Sequence, residues 1–158
     1  MTNLSIRLDF DAILYDVDST NTPSKPAVVK IIADQAAAAY DLDAGEIYAG
    51  LLAREALGST GFGGATAIPH AKIPDLDECV GVFVRWNKPI GFSAHDGKPV
   101  DVVLALLSPE NSGAKHLKAL AEISRLLRND QFMGKLRGAS TVDALFALLS
   151  GQRAQQAA

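Results

Sequence analysis

The chain has 158 residues, 48% hydrophobic and 21% charged, with a formal net charge of −3. This is the balance of one globular domain; it argues against a disordered chain and supplies no global basic surface for nucleic acid. A single cysteine, Cys79, excludes an intrachain disulfide and a thiolate metal cage, and leaves three histidines, His70, His95 and His116, as the first candidates for chemistry near neutral pH.

Met1 to Phe10 is mixed polar and has neither the basic start nor the apolar run of a signal peptide. No apolar run reaches the ~20 residues that span a bilayer, so a cytoplasmic protein without membrane insertion is expected. Ile13–Val17 has the length of a short strand. Ser24 ahead of Pro26, with Val28, Ile31, Ile32, Gln35 and Ala39 at helical spacing, predicts a helix over about 25–40. Asp43 followed by Glu46 has capping-box spacing and opens a second helix that runs to about Leu57, with Gly58 as its stop. Gly58 to Ala71 reads GSTGFGGATAIPHA, a glycine cluster and then an apolar strand ending in Pro69-His70. Val80–Trp86 is the next strand, turned by Asn87-Lys88-Pro89, and His95-Asp96-Gly97-Lys98 is a further turn. Val100–Leu107 is almost continuously apolar after Asp101, the pattern of a strand buried on both faces. Residues 111–150 read as mostly helical, with a stripe of Leu117, Leu120, Ala121, Ser124 and Leu127. A last helix after Thr141 turns Val142, Leu145, Phe146 and Leu149 inward. Helices on either side of a strand-rich middle predict an α/β fold of three layers, α/β/α, with a mixed β-sheet flanked by helices on both sides. One domain over 1–151 and a frayed tail at 152–158 are expected.

The glycine cluster fails both common nucleotide patterns. The P-loop lysine is missing, and Gly61, Gly63 and Gly64 do not match GxGxxG. Clustered glycines still allow backbone N–H groups to converge on an anion, with Ser59 and Thr60 adding hydroxyls; a tight surface turn is the competing reading. His70 follows Pro69 at the end of the apolar run. A neutral imidazole there is a nitrogen nucleophile that can attack phosphorus, with its other nitrogen fixing the tautomer; position alone favours a histidine that merely caps a strand end. His116 lies near the start of a helix, where the dipole disfavours protonation. Arg54, in the helix leading into the glycine segment, has the guanidinium geometry that suits a phosphate. His95 lies in a turn and carries no assigned role, and Cys79 reads as ordinary packing.

Arg54-Glu55-Ala56-Leu57-Gly58-Ser59-Thr60-Gly61-Phe62-Gly63 with Ala67-Ile68-Pro69-His70, continuing through VGVFVRWNKPIGFSAHDGKPVDVVLALLSPE to His116-Leu117, resembles enzyme IIA of the fructose/mannitol type. This is a component of the bacterial phosphoenolpyruvate-dependent phosphotransferase system. The likeness covers roughly residues 45–150 and is strongest to the nitrogen-regulatory branch. It implies that His70 is the phospho-acceptor through Nε2, that His116 is its supporting histidine, and that Arg54 is the active-site arginine. Ser59, Thr60, Gly61 and Gly63 are expected to bind phosphate oxygens, with Phe62 and Ile68 on an apolar rim. Three departures from the family pattern stand out: Gly64-Ala65 where Asn-Gly is common, Ala71 where glycine is usual, and Thr66 where an aliphatic residue is usual. If position 65 or 71 needs a positive φ, alanine there costs about 1 kcal/mol or more.

The resemblance implies a regulatory phosphotransferase component that takes a phosphoryl group on His70 from an HPr-type phosphocarrier and modulates partners by its phosphorylation state. A sensor kinase or a potassium transporter is the expected kind of regulated partner. No metal or organic cofactor and no nucleic acid are expected. The alternative is a IIA component that passes phosphate to a sugar permease IIB domain. A binding module with vestigial phosphorylation is disfavoured by the presence of both His70 and His116. A three-histidine metal hydrolase is disfavoured by the lack of an HExxH-type pair.

Overall fold

The structure, a computed structural model, describes residues 4–21 and 24–157. After a 3-10 turn at Phe10–Ala12 come β1 (Ile13–Val17), α1 (Lys25–Tyr40), α2 (Ala44–Glu55), β2 (Gly61–Gly63), β3 (Thr66–Ala67) and β4 (His70–Ile73). They are followed by β5 (Val80–Ile90), β6 (Val100–Pro109), α3 (Ala114–Leu127), α4 (Asp130–Gly138) and α5 (Val142–Ala157). The strands form one mixed sheet in the order β1-β5-β6-β3-β2, with β4 also paired to β6. β1 lies parallel to β5, β5 antiparallel to β6, and both β3 and β4 parallel to β6.

Period-two alternation on β5 and β6 makes the two cores. Val80, Val82, Val84, Val103, Ala105 and Leu107 pack under α1 and α2, whereas Phe83, Val102, Leu104 and Leu106 pack under α3, α4 and α5. This is the expected three-layer α/β/α arrangement, and it explains why Val100–Leu107 reads as nearly unbroken hydrophobicity.

The helix starts follow the sequence. Ser24 accepts the Ala27 N–H with Pro26 in the first turn, and Asp43 accepts the Glu46 N–H at 2.9 Å. The expected end of the second helix at Leu57 is two residues late, because α2 stops at Glu55 and Leu57 is 84% exposed. The strand from Val80 does not stop at Trp86. It runs to Ile90 through a register shift between Arg85 and Ile90, which accommodates Pro89 in place of the expected turn. The region after 111 holds two helices before the last, with Asn129 capping α4 through the Phe132 N–H at 3.0 Å. The expected α3 stripe holds at Leu127, with Leu120 partly buried against the core, but is misplaced elsewhere. Ala119, Ile123, Leu126 and Leu127 face the core with His116 and Glu122, while Leu117 is 68% exposed. Leucines occur on both arcs of this helix, and the buried arc includes two polar residues that a hydrophobic stripe would avoid. In α5, Leu145 and Leu149 are buried and Val142 and Phe146 half-buried. The backbone stays helical through Ala157, over most of the expected tail, and Ala158 lies outside the described residues.

The glycine segment is a hairpin. β2 and β3 pair antiparallel around Gly64 and Ala65, whose φ values of 64° and 62° give the two left-handed central residues of a type I′-like turn. Gly61 lies so close to its neighbour that a Cβ would meet the Ala94 backbone at 3.0 Å. Arg137 of α4 clamps the turn, bonding Asp101 through two guanidinium nitrogens and donating to the Gly64 carbonyl at 2.9 Å. At the other end, buried Glu55 accepts from the Lys25 ammonium at 3.0 Å, from the Thr60 N–H at 3.2 Å and from the Thr60 hydroxyl. α2 rides close over β4 because a Cβ on Gly50 would come within 3.3 Å of the Ala71 methyl. Ala71 has no positive φ, so its departure from the family's glycine carries no backbone strain; its methyl uses the space Gly50 leaves.

Two predictions follow from these anchors. Ala65→Gly relieves about 1–2 kcal/mol of left-handed strain and loses about 0.4–1 kcal/mol to the freer unfolded chain, for a net gain near 0.5–1 kcal/mol. It is read as a raised urea midpoint, and a midpoint at or below wild type would show that Ala65 sits there without strain. Glu55→Ala leaves Lys25 and the Thr60 amide without their buried acceptor and costs about 2–3 kcal/mol. The same variant speeds hydrogen exchange at Thr60 N–H.

Candidate functional site

One edge of β6 serves two short strands in succession. β3 pairs with Val102 and Val103, β4 pairs with Leu106 to Pro109, and Ile68-Pro69 forms the break between them. The Pro69 carbonyl accepts from Leu106 N–H at 2.9 Å, but proline has no N–H to return. His70 is therefore the first residue of β4, after this break, and not the last residue of the preceding strand as expected from the sequence. Ala71 and Ile73 enter the α1–α2 core, so alternation turns His70 and Lys72 toward the α3 layer.

The His70 ring is held at both nitrogens. Nδ1 lies 2.8 Å from the Ile68 carbonyl, to which it donates, and Nε2 accepts from Arg54 Nε–H at 3.1 Å. The lone pair is thereby placed on Nε2. Arg54 is steadied by a second bond, from Nη1 to the Gly58 carbonyl at 2.9 Å, and stands one turn beyond Gly50 on the helix that packs over β4. His116, in the first turn of α3, presents its ring to His70 with centroids 5.6 Å apart and planes inclined by 51°. Its Nδ1 lies 2.7 Å from the Ser108 hydroxyl. Burial pushes the His70 pKa below its ordinary value, and the Arg54 charge adds to this against the Ile68 carbonyl and Glu55, which pull it up. The His116 pKa is also lowered, by burial first and then by His70 and Lys72. Both rings are neutral at pH 7.

His70 opens onto a recess of about 270 Å³ lined by Arg54, Ser59, Thr60, Phe62, Ile68, His95, Leu120, Ser124 and Arg128. Ser59, Thr60, Gly61 and Gly63 do form its wall or the hairpin behind it, but as bonded structure and not as an open donor loop. Ser59 Oγ donates to the Phe92 carbonyl and accepts from Gly61 N–H, and both polar groups of Thr60 are on Glu55. His95 is also here, with Nε2 3.1 Å from the Ser59 carbonyl, although its turn gave it no sequence role. Ile68 is 7% exposed and belongs mainly to the core, whereas half-buried Phe62 carries the Arg128 guanidinium 5.5 Å above its ring. Glu55, Ser108 and Arg128 escaped the sequence reading. Glu55 sits inside the block quoted above, but nothing local distinguishes a buried carboxylate from a solvated one; Ser108 and Arg128 carry no local signal. Among the described residues, no group of three histidine, cysteine, aspartate or glutamate side chains is placed to hold a metal ion, and no helix is long and apolar enough to cross a membrane.

Residues 11–152 match the family described as phosphoenolpyruvate-dependent sugar phosphotransferase system, EIIA 2. A nitrogen regulatory protein of Bradyrhizobium diazoefficiens is 42% identical over 127 residues, covering 80% of this chain and 83% of that one. The nitrogen regulatory protein of Escherichia coli is 33% identical over 154 residues, 95% of this chain and 94% of its own. The crystal structure of nitrogen regulatory protein IIA-Ntr from Neisseria meningitidis superposes with a TM-score of 0.82 at 31% identity, over 90% of this chain and 95% of that one. With matches of this extent and a regulatory character shared by these relatives, the chain belongs to the EIIA 2 family of the phosphoenolpyruvate-dependent sugar phosphotransferase system.

Proposed function

We propose that the protein is a regulatory phosphotransferase-system IIA component whose His70 Nε2 accepts a phosphoryl group from the phosphohistidine of an HPr-type carrier. The observation that carries this reading is the double restraint on His70: Nδ1–H on the Ile68 carbonyl and Arg54 on the Nε2 lone pair. In the transfer, the Nε2 lone pair forms the new P–N bond in line as the P–N bond to the carrier's ring breaks. His70 keeps its proton on Nδ1, and the carrier ring, protonated on its other nitrogen, leaves as a neutral imidazole. Arg54 moves from Nε2 onto the phosphoryl oxygens, and His116 donates a hydrogen bond from the facing ring. Ser59, Thr60, Gly61 and Gly63 hold the pocket wall. The carrier docks on Phe62, Leu120 and exposed Leu117, with Arg128 at the edge. The phosphoryl group adds about −2 of charge beside this surface and so switches partner binding. A sensor kinase or an ion transporter fits that role, and a IIB domain is the acceptor in the sugar-transport reading.

Incubation with phosphoenolpyruvate, enzyme I and the carrier is expected to give acid-labile phosphate on the wild type and none on His70→Ala; persistent labelling of His70→Ala would sink the assignment. Arg54→Ala is expected to slow transfer about 100-fold. Because the His70 pKa is lowered, the midpoint of the fall in acceptance rate on acidification is expected below the ordinary histidine value of 6.5. A midpoint at or above that value would contradict the neutral nucleophile.

A further inference from the structure

Behind His116 runs a buried chain of three side chains. Cys79 Sγ lies 3.4 Å from Ser108 Oγ, and Ser108 Oγ lies 2.7 Å from His116 Nδ1. Ser108 is fully buried and His116 is 8% exposed. Nε2 of His116 makes no hydrogen bond to any described residue, so the other ring nitrogen alone sets its orientation. Two proton arrangements fit this chain. In one, Nδ1–H donates to Ser108, and the serine hydroxyl must then spend its proton on a thiol sulfur, a weak acceptor. In the other, the thiol donates to Ser108 and the hydroxyl donates to Nδ1. The 2.7 Å separation suits a hydroxyl donor and lies at the short limit for an N–H donor. A hydroxyl on a ring nitrogen is a stronger bond than a hydroxyl on a thiol, which favours the second arrangement.

We propose that Ser108 is a positioning residue that fixes His116 as the Nε2–H tautomer, with the Cys79 thiol completing the chain and orienting the serine hydroxyl. The consequence is opposite polarity in the two facing rings. His70 carries its proton on Nδ1 and a lone pair on Nε2, whereas His116 carries its proton on Nε2 and accepts on Nδ1. One ring is built to bond to phosphorus and the other to donate to a phosphoryl oxygen. The consequence for transfer rests on the proposed role of His70; the tautomer does not.

The test is ring-nitrogen NMR of protein labelled with ¹⁵N-histidine at neutral pH, beside steady-state transfer from the carrier. Wild type is expected to show His116 protonated on Nε2. Ser108→Ala is expected to give a mixture of tautomers and to lower kcat about tenfold with KM unchanged. Ser108→Thr, which restores the hydroxyl, recovers both, and Cys79→Ala shifts the tautomer in the same direction as Ser108→Ala by less. A wild-type His116 protonated on Nδ1 overturns the inference without any variant, and so does a Ser108→Ala protein whose His116 tautomer is unchanged. If His70 takes no phosphate while the tautomer responds to Ser108, the functional reading falls and the positioning role stands.

Discussion

The site depends on a single interruption in the ladder along β6. A continuous strand from Thr66 to Ile73 would use every backbone group for pairing and leave a histidine at position 70 free to rotate. Pro69 cannot donate, so the pairing lapses for two residues and the Ile68 carbonyl is released from the sheet. A carbonyl in this half-buried place needs a donor, and the nearest is the His70 ring, two residues along. One backbone constraint thus fixes the ring's direction, its tautomer and, through the burial that follows, its neutrality. The Pro69-His70 pair is in this sense one device and not two adjacent residues.

Two buried polar groups hold the surroundings in register, one at the end of α2 and one near the end of β6. Glu55 ties the end of α2, the start of α1 and the entry to the hairpin together, so Arg54 is placed by a carboxylate next to it that faces the other way. Ser108 ties the end of β6 to the start of α3 and so places His116. Each would be costly if left without partners, by about 1–3 kcal/mol or more for the charged one, so each permits only the arrangement that satisfies it. Hydrophobic packing in the two cores brings α2 and α3 to the sheet; it does not discriminate between small slides of a helix along it. Specific hydrogen bonds at the helix ends do.

This division explains what was legible in the sequence. The layers were, because periodicity reports burial directly: β1, α1, the start of α2 and the doubly buried β6 follow from spacing and capping residues alone. His70, Arg54 and His116 were legible as candidates because their side-chain chemistry is uncommon in this composition and because the block around them resembles a known family. Their convergence was not, since residues 54, 70 and 116 meet only through the closing of the sheet. The placement of His70 at the start of a strand was missed because Ala67, Ile68 and Ala71 look alike in hydropathy on both sides of the break. Part of the buried α3 face was missed because Leu117 resembles a core residue and faces solvent instead. The glycines were read as freedom, and Gly58, Gly63 and Gly64 do take positive φ, whereas Gly61 and Gly50 serve close approach.

The electrostatics of the recess follow from the same burial. Both imidazoles are neutral near pH 7, so the positive charge around His70 comes from Arg54 and Arg128, which do not titrate in the physiological range. Had the histidines supplied that charge, the recess would attract an anion only where the nucleophile was protonated and inert. Separating the two tasks would let attraction and the nucleophilicity proposed for His70 coexist at one pH. It also means that a dianionic group on His70 would face fixed guanidinium charges in a chain that is otherwise net negative, so its effect on the surface potential would be concentrated at the recess wall that includes Phe62 and Leu120. On the proposed function, a partner touching this rim would read the difference between an apolar patch edged with positive charge and the same patch with that charge cancelled, without any movement of the backbone.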